Sequence, residues 1–341
     1  MVDELRRDEF ELLARIAYRY YIDDRSQEEI AREFALSRPK VQRLLVQARA
    51  SGVVDIHVQA PPWLNLDLER RLRERFGLRE AIVCPSRTDP QSQREAVARS
   101  AARYLERLLA DGTIVTVGHG RDAAELPRFF RPERRIGCVF VSAMGGSPRV
   151  DAPTNPNEIC RALADACGGR SVSLYAPAYV ESARLRDSLL GSDAVRHTLG
   201  EAARANVAVV GIGGTDDGAT MVRAGCLSVA EMARLRERGA VGDVLGTYVD
   251  ADGRLVAAAH AERLIALALD ELRGIETVVA VVSEAEKPRA ILGVLRADVI
   301  DVLVVDATNA GDVLDLAAAT GGTPPSRPAR RRPGGGERPA D

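Results

Sequence analysis

A chain of 341 residues with a net charge of −2 suits two domains, one small and one of roughly 250 residues. Near-neutral charge excludes global attraction of nucleic acid. No apolar run approaches the ~18–20 residues that span a bilayer, and the acidic N-terminus carries no basic-then-apolar leader, so a soluble cytoplasmic protein with no membrane partner is expected.

Apolar Phe10, Leu13, Ala14, Ala17 and Tyr21 predict a first helix over 8–22. Ser26 followed by Glu29 forms a capping box, and Ile30, Ala31 and Phe34 then share one helical face. Leu36 fills a tight turn. Ser37 caps a second helix whose first turn holds Pro39, where the missing N–H costs nothing. Val41, Leu44, Leu45 and Ala48 make its buried face, leaving Arg38, Lys40, Gln42 and Arg43 outward near its N-terminus. A second helix that offers N-terminal polar residues to base edges is the geometry of a helix-turn-helix. Ser37, Arg38, Lys40, Gln42 and Arg43 are therefore the candidate contacts to operator double-stranded DNA. Two amphipathic helices with a short turn also occur in many all-α proteins, and charge decides between the readings. Residues 32–49 hold Arg32, Arg38, Lys40, Arg43 and Arg49 against Glu33 alone, a focused patch suited to phosphates.

Ser51-Gly52 stops the helix, and Val53–Val58 reads as a short strand, a candidate wing. Pro61-Pro62 breaks the chain as a hinge, and Leu64, Leu68, Leu72 and Phe76, spaced by four, predict a connecting helix. The expected organisation is thus a DNA-binding domain over 1–60, hinge and connecting helix over 61–79, a larger domain over 80–319, and a tail over 320–341. Strands are predicted at 81–84, 113–117, 136–142, 172–175, 207–212, 244–249, 277–283 and 301–305. Helices are predicted at 92–110, 157–167, 182–190, 193–204, 228–238, 261–272 and 287–297. The alternation argues an α/β domain with a mainly parallel sheet covered on both faces. Asp250-Ala251-Asp252-Gly253 reads as a β-turn closing one antiparallel hairpin. The Gly-, Pro- and Arg-rich tail from Thr320 has no periodicity and is expected to be disordered. Cys84, Cys138, Cys160, Cys167 and Cys226 form no Cys-x-x-Cys pair, which favours buried reduced thiols over disulfides or a metal.

Ligands in open α/β sheets bind beyond the carboxyl ends of the strands. Four glycine-rich or charged loops occupy such positions: Gly118-His119-Gly120-Arg121-Asp122, Gly145-Gly146, Gly213-Gly214, and Ser283-Glu284 leading to Lys287. Glycines let backbone amides approach an anion at a helix N-terminus. Lys287 opens a helix, where the macrodipole disfavours a cation, so it needs an anionic partner or solvent. With Asp243, the set supplies amides, an ammonium and a carboxylate, groups that suit a phosphorylated sugar or a polyol. Arginine outnumbers lysine 45 to 2, which makes Lys40 and Lys287 conspicuous.

Ser-Gln-Glu-Glu-Ile-Ala at 26–31, Ser-Arg-Pro-Lys-Val-Gln-Arg-Leu-Leu at 37–45 and Leu-Glu-Arg-Arg-Leu-Arg-Glu-Arg-Phe-Gly-Leu at 68–78 closely resemble the SorC-type sugar-sensing transcriptional regulators of bacteria. So do Pro-Asn-Glu-Ile at 156–159, Tyr-Ala-Pro-Ala-Tyr-Val at 175–180, Val-Gly-Asp-Val-Leu-Gly at 241–246 and Ile-Asp-Val-Leu-Val-Val-Asp at 300–306. The resemblance, over roughly residues 8–318, implies that 80–319 is a sugar-effector-binding and oligomerisation domain with the fold of ribose phosphate isomerase and glucosamine phosphate deaminase. It also implies a homo-oligomer, usually a tetramer, on operator DNA, a small carbohydrate effector, and no cofactor, metal or catalytic residue. The family's effector loops map onto Gly118, His119, Gly120, Arg121, Asp122, Gly145, Gly146, Gly213, Gly214, Asp243 and Lys287. Members commonly have Gly-Trp-Gly-x-Thr where this chain has Gly118 to Asp122, and often a glycine pair where it has Ser283-Glu284. An Asp in place of the hydroxyl favours a neutral sugar or polyol at that loop. The alternative from another class is an enzyme that kept isomerase or deaminase chemistry, with Asp122 or Asp243 as base or Lys287 as a Schiff-base amine. A fused helix-turn-helix makes regulation the simpler reading.

Overall fold

The computed structural model describes residues 2–55, 61, 64–147, 154–257 and 259–321, and the chain divides into two compact units, 1–60 and 61–341. The first unit is three helices, α1 (Val2–Tyr21), α2 (Gln27–Glu33) and α3 (Arg38–Ala50). Helix α1 starts earlier than its apolar pattern, because its first residues are not part of the apolar stripe that periodicity detects. Leu13, Ile16 and Ala17 of α1 close on Ile30 and Ala31 of α2 and on Val41, Leu44, Leu45 and Ala48 of α3. The capping box forms: the Glu29 amide donates to Ser26 Oγ at 3.3 Å and the Ser26 amide to Glu29 Oε2 at 2.9 Å. Ser37 occupies the N-cap position of α3 but makes no side-chain cap bond, which corrects the expected cap. Ala35, in the turn, takes the left-handed conformation at φ 53°, so that the Leu36 amide reaches Ala31 O at 2.8 Å. Val53–Asp55 is not strand, and Val53 and Val54 pack on this small core. The remainder of the candidate wing, Pro62 of the hinge, and the tail from 322 lie outside the described residues.

The second unit opens with α4 (Leu66–Phe76), whose Leu72 and Phe76 are buried in its core, so the helix read as a connector packs within this unit. Seven parallel strands follow: β1 (Glu80–Cys84), β2 (Ile114–Val117), β3 (Val139–Ser142), β4 (Arg170–Val172), β5 (Val207–Gly211), β8 (Thr277–Val281) and β9 (Val302–Asp306). Between β5 and β8 lies an antiparallel pair, β6 (Ala240–Val244) and β7 (Thr247–Asp250). The order across the sheet is β1-β9-β8-β5-β2-β3-β4. The helices between are α5 (Pro90–Leu108), α6 (Arg121–Phe129), α7 (Pro156–Cys167), α8 (Ala183–Leu190), α9 (Asp193–Ala203), α10 (Thr220–Arg223) and α11 (Val229–Glu237). After the hairpin come α12 (Leu269–Gly274), α13 (Pro288–Arg296) and α14 (Ala307–Thr320).

Alternation along the strands sends side chains to two cores. Val207, Val209, Val279, Val281, Val302 and Val304 face α5, α6 and α7, whereas Ala208, Val210, Val278, Ala280, Leu303 and Val305 face the side of α4, α13 and α14. Both faces are covered, as expected of a parallel sheet. All five cysteines are buried and free. No helix among the described residues is long and apolar enough to cross a membrane.

Two sequence expectations fail. The strand expected at 244–249 is the turn of a hairpin, folded at Leu245-Gly246, which both have positive φ as a tight hairpin turn requires. The helix expected over 261–272 is a 3-10 turn at Ala261–Arg263 and an extended run before α12. In that run the Ile265 amide donates to Ala178 O, the Gly145 amide to Ile265 O, and the Leu267 amide to Ala143 O, each within 2.8–2.9 Å. Backbone partners distant in sequence outweigh local helix propensity there. The turn at 250–253 does form, with Gly253 at φ 81° and an antiparallel bridge from Val249 to Leu255.

Candidate functional site

In the first unit, Arg38, Lys40, Gln42 and Arg43 lie exposed on α3, with Ser37 just ahead of them. Arg38 stands 3.7 Å from Glu28, with both side chains about two-thirds exposed, a pairing worth little in water. Among the described residues, no ion pair or hydrogen bond holds the side chains of Lys40, Gln42 or Arg43. Such charges are ready to meet phosphates, and Gln42 and the arginines can read base edges.

In the second unit, the four loops converge because β8, β5, β2 and β3 are neighbours and parallel, so their carboxyl ends share one edge. The hairpin delivers Asp243 to this edge: its amide donates to Gly213 O at 3.0 Å, and the Gly213 amide returns a bond to Asp243 O at 2.9 Å. The glycines turn out to be steric. A Cβ on Gly213 would sit 1.8 Å from Asp243 Oδ1, one on Gly118 2.5 Å from Leu245, and one on Gly145 2.4 Å from the Pro177 carbonyl. The amides of Gly118, Gly145, Gly146 and Gly213 donate to Val209, Ile265, Ala176 and Asp243 carbonyls at 2.8–2.9 Å. Those amides are therefore engaged by protein. Gly146 carries its loop onto residues 176–178, and Gly214 borders an open cavity of ≈ 370 Å³ lined also by Asp216, Arg236 and Arg289.

Charge concentrates between β2 and β8. Lys287, the N-cap of α13, is 7 % exposed; it pairs with Glu284 and donates to Ile212 O at 2.6 Å. Arg121 Nε lies 2.7 Å from Glu284 Oε1, and Arg94, reaching in from α5, stands 3.9 Å from both Glu284 and Asp122. Asp122 accepts from the Ser283 hydroxyl and, at 3.3 Å, from its amide. Burial pushes the Asp122 carboxyl up, with Lys287 only partly opposing. Burial also pushes Glu284 up, but Lys287, Arg121 and Arg94 outweigh it and hold the carboxyl below its usual range. Asp243, fully buried, is raised to about 6 by burial against the pull of the Gly246 amide and Lys287. His119, buried beside Thr154 Oγ1 at 3.1 Å, is lowered by burial to about 4 and stays neutral.

Several polar groups at this edge escaped the sequence reading. Arg94 projects from a helix with an ordinary amphipathic pattern. Tyr179 donates to Gly246 O at 2.9 Å, and Tyr248 and His260 meet edge-on at 5.1 Å between ring centroids. Among the described residues, Tyr248 Oη, His260 Nε2 and the Nε of Arg94 and Arg121 are buried without a hydrogen-bond partner, as are both carboxylate oxygens of Glu284, whose cations reach it as ion pairs. Buried unpaired polar atoms are costly and mark places where a ligand can bind.

The family described as "Putative sugar-binding domain" matches residues 61–315. Transcriptional regulator LsrR of Klebsiella pneumoniae subsp. pneumoniae is similar, 34 % identical over 319 residues that cover 91 % of this chain and 94 % of that protein. The crystal structure of the full-length sorbitol operon regulator SorC from Klebsiella pneumoniae superposes with a TM-score of 0.69 at 28 % identity, covering 89 % of this chain and 98 % of its own. A sugar-binding domain of a transcriptional repressor from Vibrio fischeri superposes with a TM-score of 0.70 at 36 % identity, over 74 % of this chain and all of its own.

Proposed function

The chain belongs to this family of transcriptional regulators with a sugar-binding domain, and from that premise we propose that a small carbohydrate at the carboxyl edge of the sheet controls its affinity for operator DNA. Arg38, Lys40, Gln42 and Arg43 make the DNA contacts, with Ser37 at the helix start. Lys287, Asp243, Asp122, Arg121, His119 and the loops of Gly118, Gly120, Gly145, Gly146, Gly213 and Gly214 form the effector site. The protein works in the cytoplasm as a homo-oligomer, a tetramer by likeness to its family, because a single α3 with few phosphate contacts binds weakly at physiological salt. Paired half-sites then lie about one DNA turn, or a multiple, apart.

The observation that carries this reading is the joining, in one chain, of an exposed cationic helix to an α/β unit whose charged groups converge at the ligand-binding edge. A sugar-phosphate isomerase or deaminase would need a base or amine free to act on substrate. Lys287 is instead tied to Glu284 and Ile212 O, which supports binding over turnover. The relatives named above are a transcriptional regulator and an operon regulator.

The test begins with duplexes selected from a random pool on the full-length protein. Operator affinity is then titrated with and without a panel of sugars, polyols and their phosphates. One panel member should change affinity 5- to 150-fold, a coupling of ~1–3 kcal/mol. A panel that binds without moving affinity would sink the effector reading, since equal binding to both states shifts nothing.

A further inference from the structure

We propose that Glu284 is a resident anion that fits the pocket to an uncharged polyhydroxyl ligand and excludes a phosphate monoester. The inference rests on the reading of this edge as the effector site. Lys287 sits at the N-terminus of α13, where the helix dipole disfavours a cation and where a ligand anion would be the natural partner. Glu284, three residues earlier, already fills that place, and Arg121 lies 2.7 Å from the same carboxylate. The charges balance: Lys287, Arg121 and Arg94 face Glu284 and Asp122, with Asp243 close enough to Lys287 to feel its field. A phosphate monoester would bring a charge of about −1.5 to −2 among these carboxylates.

Hydrogen bonding argues the same way. The amides of Gly118, Gly145, Gly146 and Gly213, which could have cradled a phosphate, donate to protein carbonyls. Among the described residues, what remains here without a hydrogen-bond partner is a mixed set: both Glu284 carboxylate oxygens, which only accept, the Nε–H of Arg94 and Arg121, which only donate, and His260 Nε2 beside the Tyr248 hydroxyl. Sugar or polyol hydroxyls both donate and accept and so can serve such a set, whereas a phosphate dianion only accepts and can offer nothing to the Glu284 carboxylate.

The experiment uses the full-length chain and inorganic phosphate as probe, with binding read by calorimetry and counted only where Lys287→Met abolishes it. Wild type should bind no phosphate at this site. Glu284→Gln, which keeps size and removes charge, should bind it at least about tenfold more tightly, since a like charge within a few ångströms has been removed. Glu284→Asp should behave as wild type. Phosphate binding to wild type overturns the proposal even where the Gln variant fails to fold. So does a folded Gln variant that still rejects phosphate, or an Asp variant that accepts it. The effector reading fails separately. A polyol that binds wild type without altering operator affinity sinks that reading and leaves Glu284 in its role. A sugar phosphate that binds and does alter affinity does the reverse.

Discussion

The chain has two lysines, and they stand in opposite surroundings. Lys40 is exposed on α3 among Arg38, Gln42 and Arg43. Lys287 is buried at the head of α13, paired with Glu284 and bonded to Ile212 O. The contrast extends to their neighbours: the α3 cations face solvent, whereas Arg121 and Arg94 lean on Glu284 and Asp122. Charges in water cost little to hold, respond to salt, and are available to an external polyanion. Charges under cover are committed to each other, and their alignment decides which small molecule can replace a partner. Under the proposed function the first unit therefore meets a polyanion and the second selects a small molecule.

The sharpest way to break this comparison is to remove each ammonium and measure stability. Lys287→Ala leaves Glu284 without its nearest cation and should destabilise the second unit by ~3–5 kcal/mol, as loss of one partner of a buried pair does. Lys40→Ala should stay within about 0.5 kcal/mol of wild type, since it removes an exposed side chain. Denaturant titrations of both variants check the pair. Equal, small effects would mean that Lys287 is as dispensable to the fold as a surface lysine.

Asp243 sharpens the contrast through pH. A carboxyl raised to about 6 in the folded protein, against an ordinary value of 3.8, holds its proton more tightly when folded. Its contribution to stability therefore falls as pH rises from about 4 to 6, and its charged form is a standing cost above that window. Asp243→Asn keeps an acceptor for the Gly246 amide and should stabilise the fold by on the order of 2–3 kcal/mol near pH 7. The gain should vanish toward pH 4, measured by melts across that range. A pH-independent difference would show that packing, not charge, accounts for it.

Arg43→Ala and Arg38→Ala probe the exposed side. Each should cost ~1–3 kcal/mol of operator discrimination if it reads a guanine. Lys40→Ala should weaken all sequences alike and lower the salt slope by about one. If replacing Arg38, Lys40, Gln42 and Arg43 together with Ala leaves operator binding unchanged in a gel-shift titration, α3 is not the contacting helix.

How far the sequence revealed these two sites follows from the range of the forces that build them. The α2–α3 pair was legible because capping, apolar spacing and the turn are local. The convergence of Gly118, Gly145, Gly213 and Lys287 was legible because a parallel sheet puts every strand's carboxyl end on one edge. The roles within that edge were not. Glycine spacing suggested free amides, but Gly213 admits the Asp243 carboxylate and Gly145 admits the Pro177 backbone, while their amides donate to Asp243 O and Ile265 O. Arg94, Tyr248 and His260 enter through tertiary packing, which leaves no mark on periodicity. The extended run at 264–268 reads as helix until its partners at Ala143, Gly145 and Ala178 are known.

The smallest expected effect separates structure from contact within the first unit itself. Ser26 and Ser37 both stand at the N-cap of a helix, one before α2 and one before α3. Ser26 accepts from the Glu29 amide within a reciprocal box, so Ser26→Ala should cost about 1 kcal/mol of stability. Ser37 makes no cap bond, and Ser37→Ala should cost the fold only a few tenths of a kcal/mol at most. Its hydroxyl then remains for a phosphate oxygen, so the same substitution should weaken operator binding where Ser26→Ala, at temperatures well below its melt, does not. Paired melts and gel-shift titrations of the two variants make the distinction. A Ser37→Ala protein that loses stability as Ser26→Ala does, yet keeps its operator affinity, would return Ser37 to the role of a cap and remove it from the DNA interface.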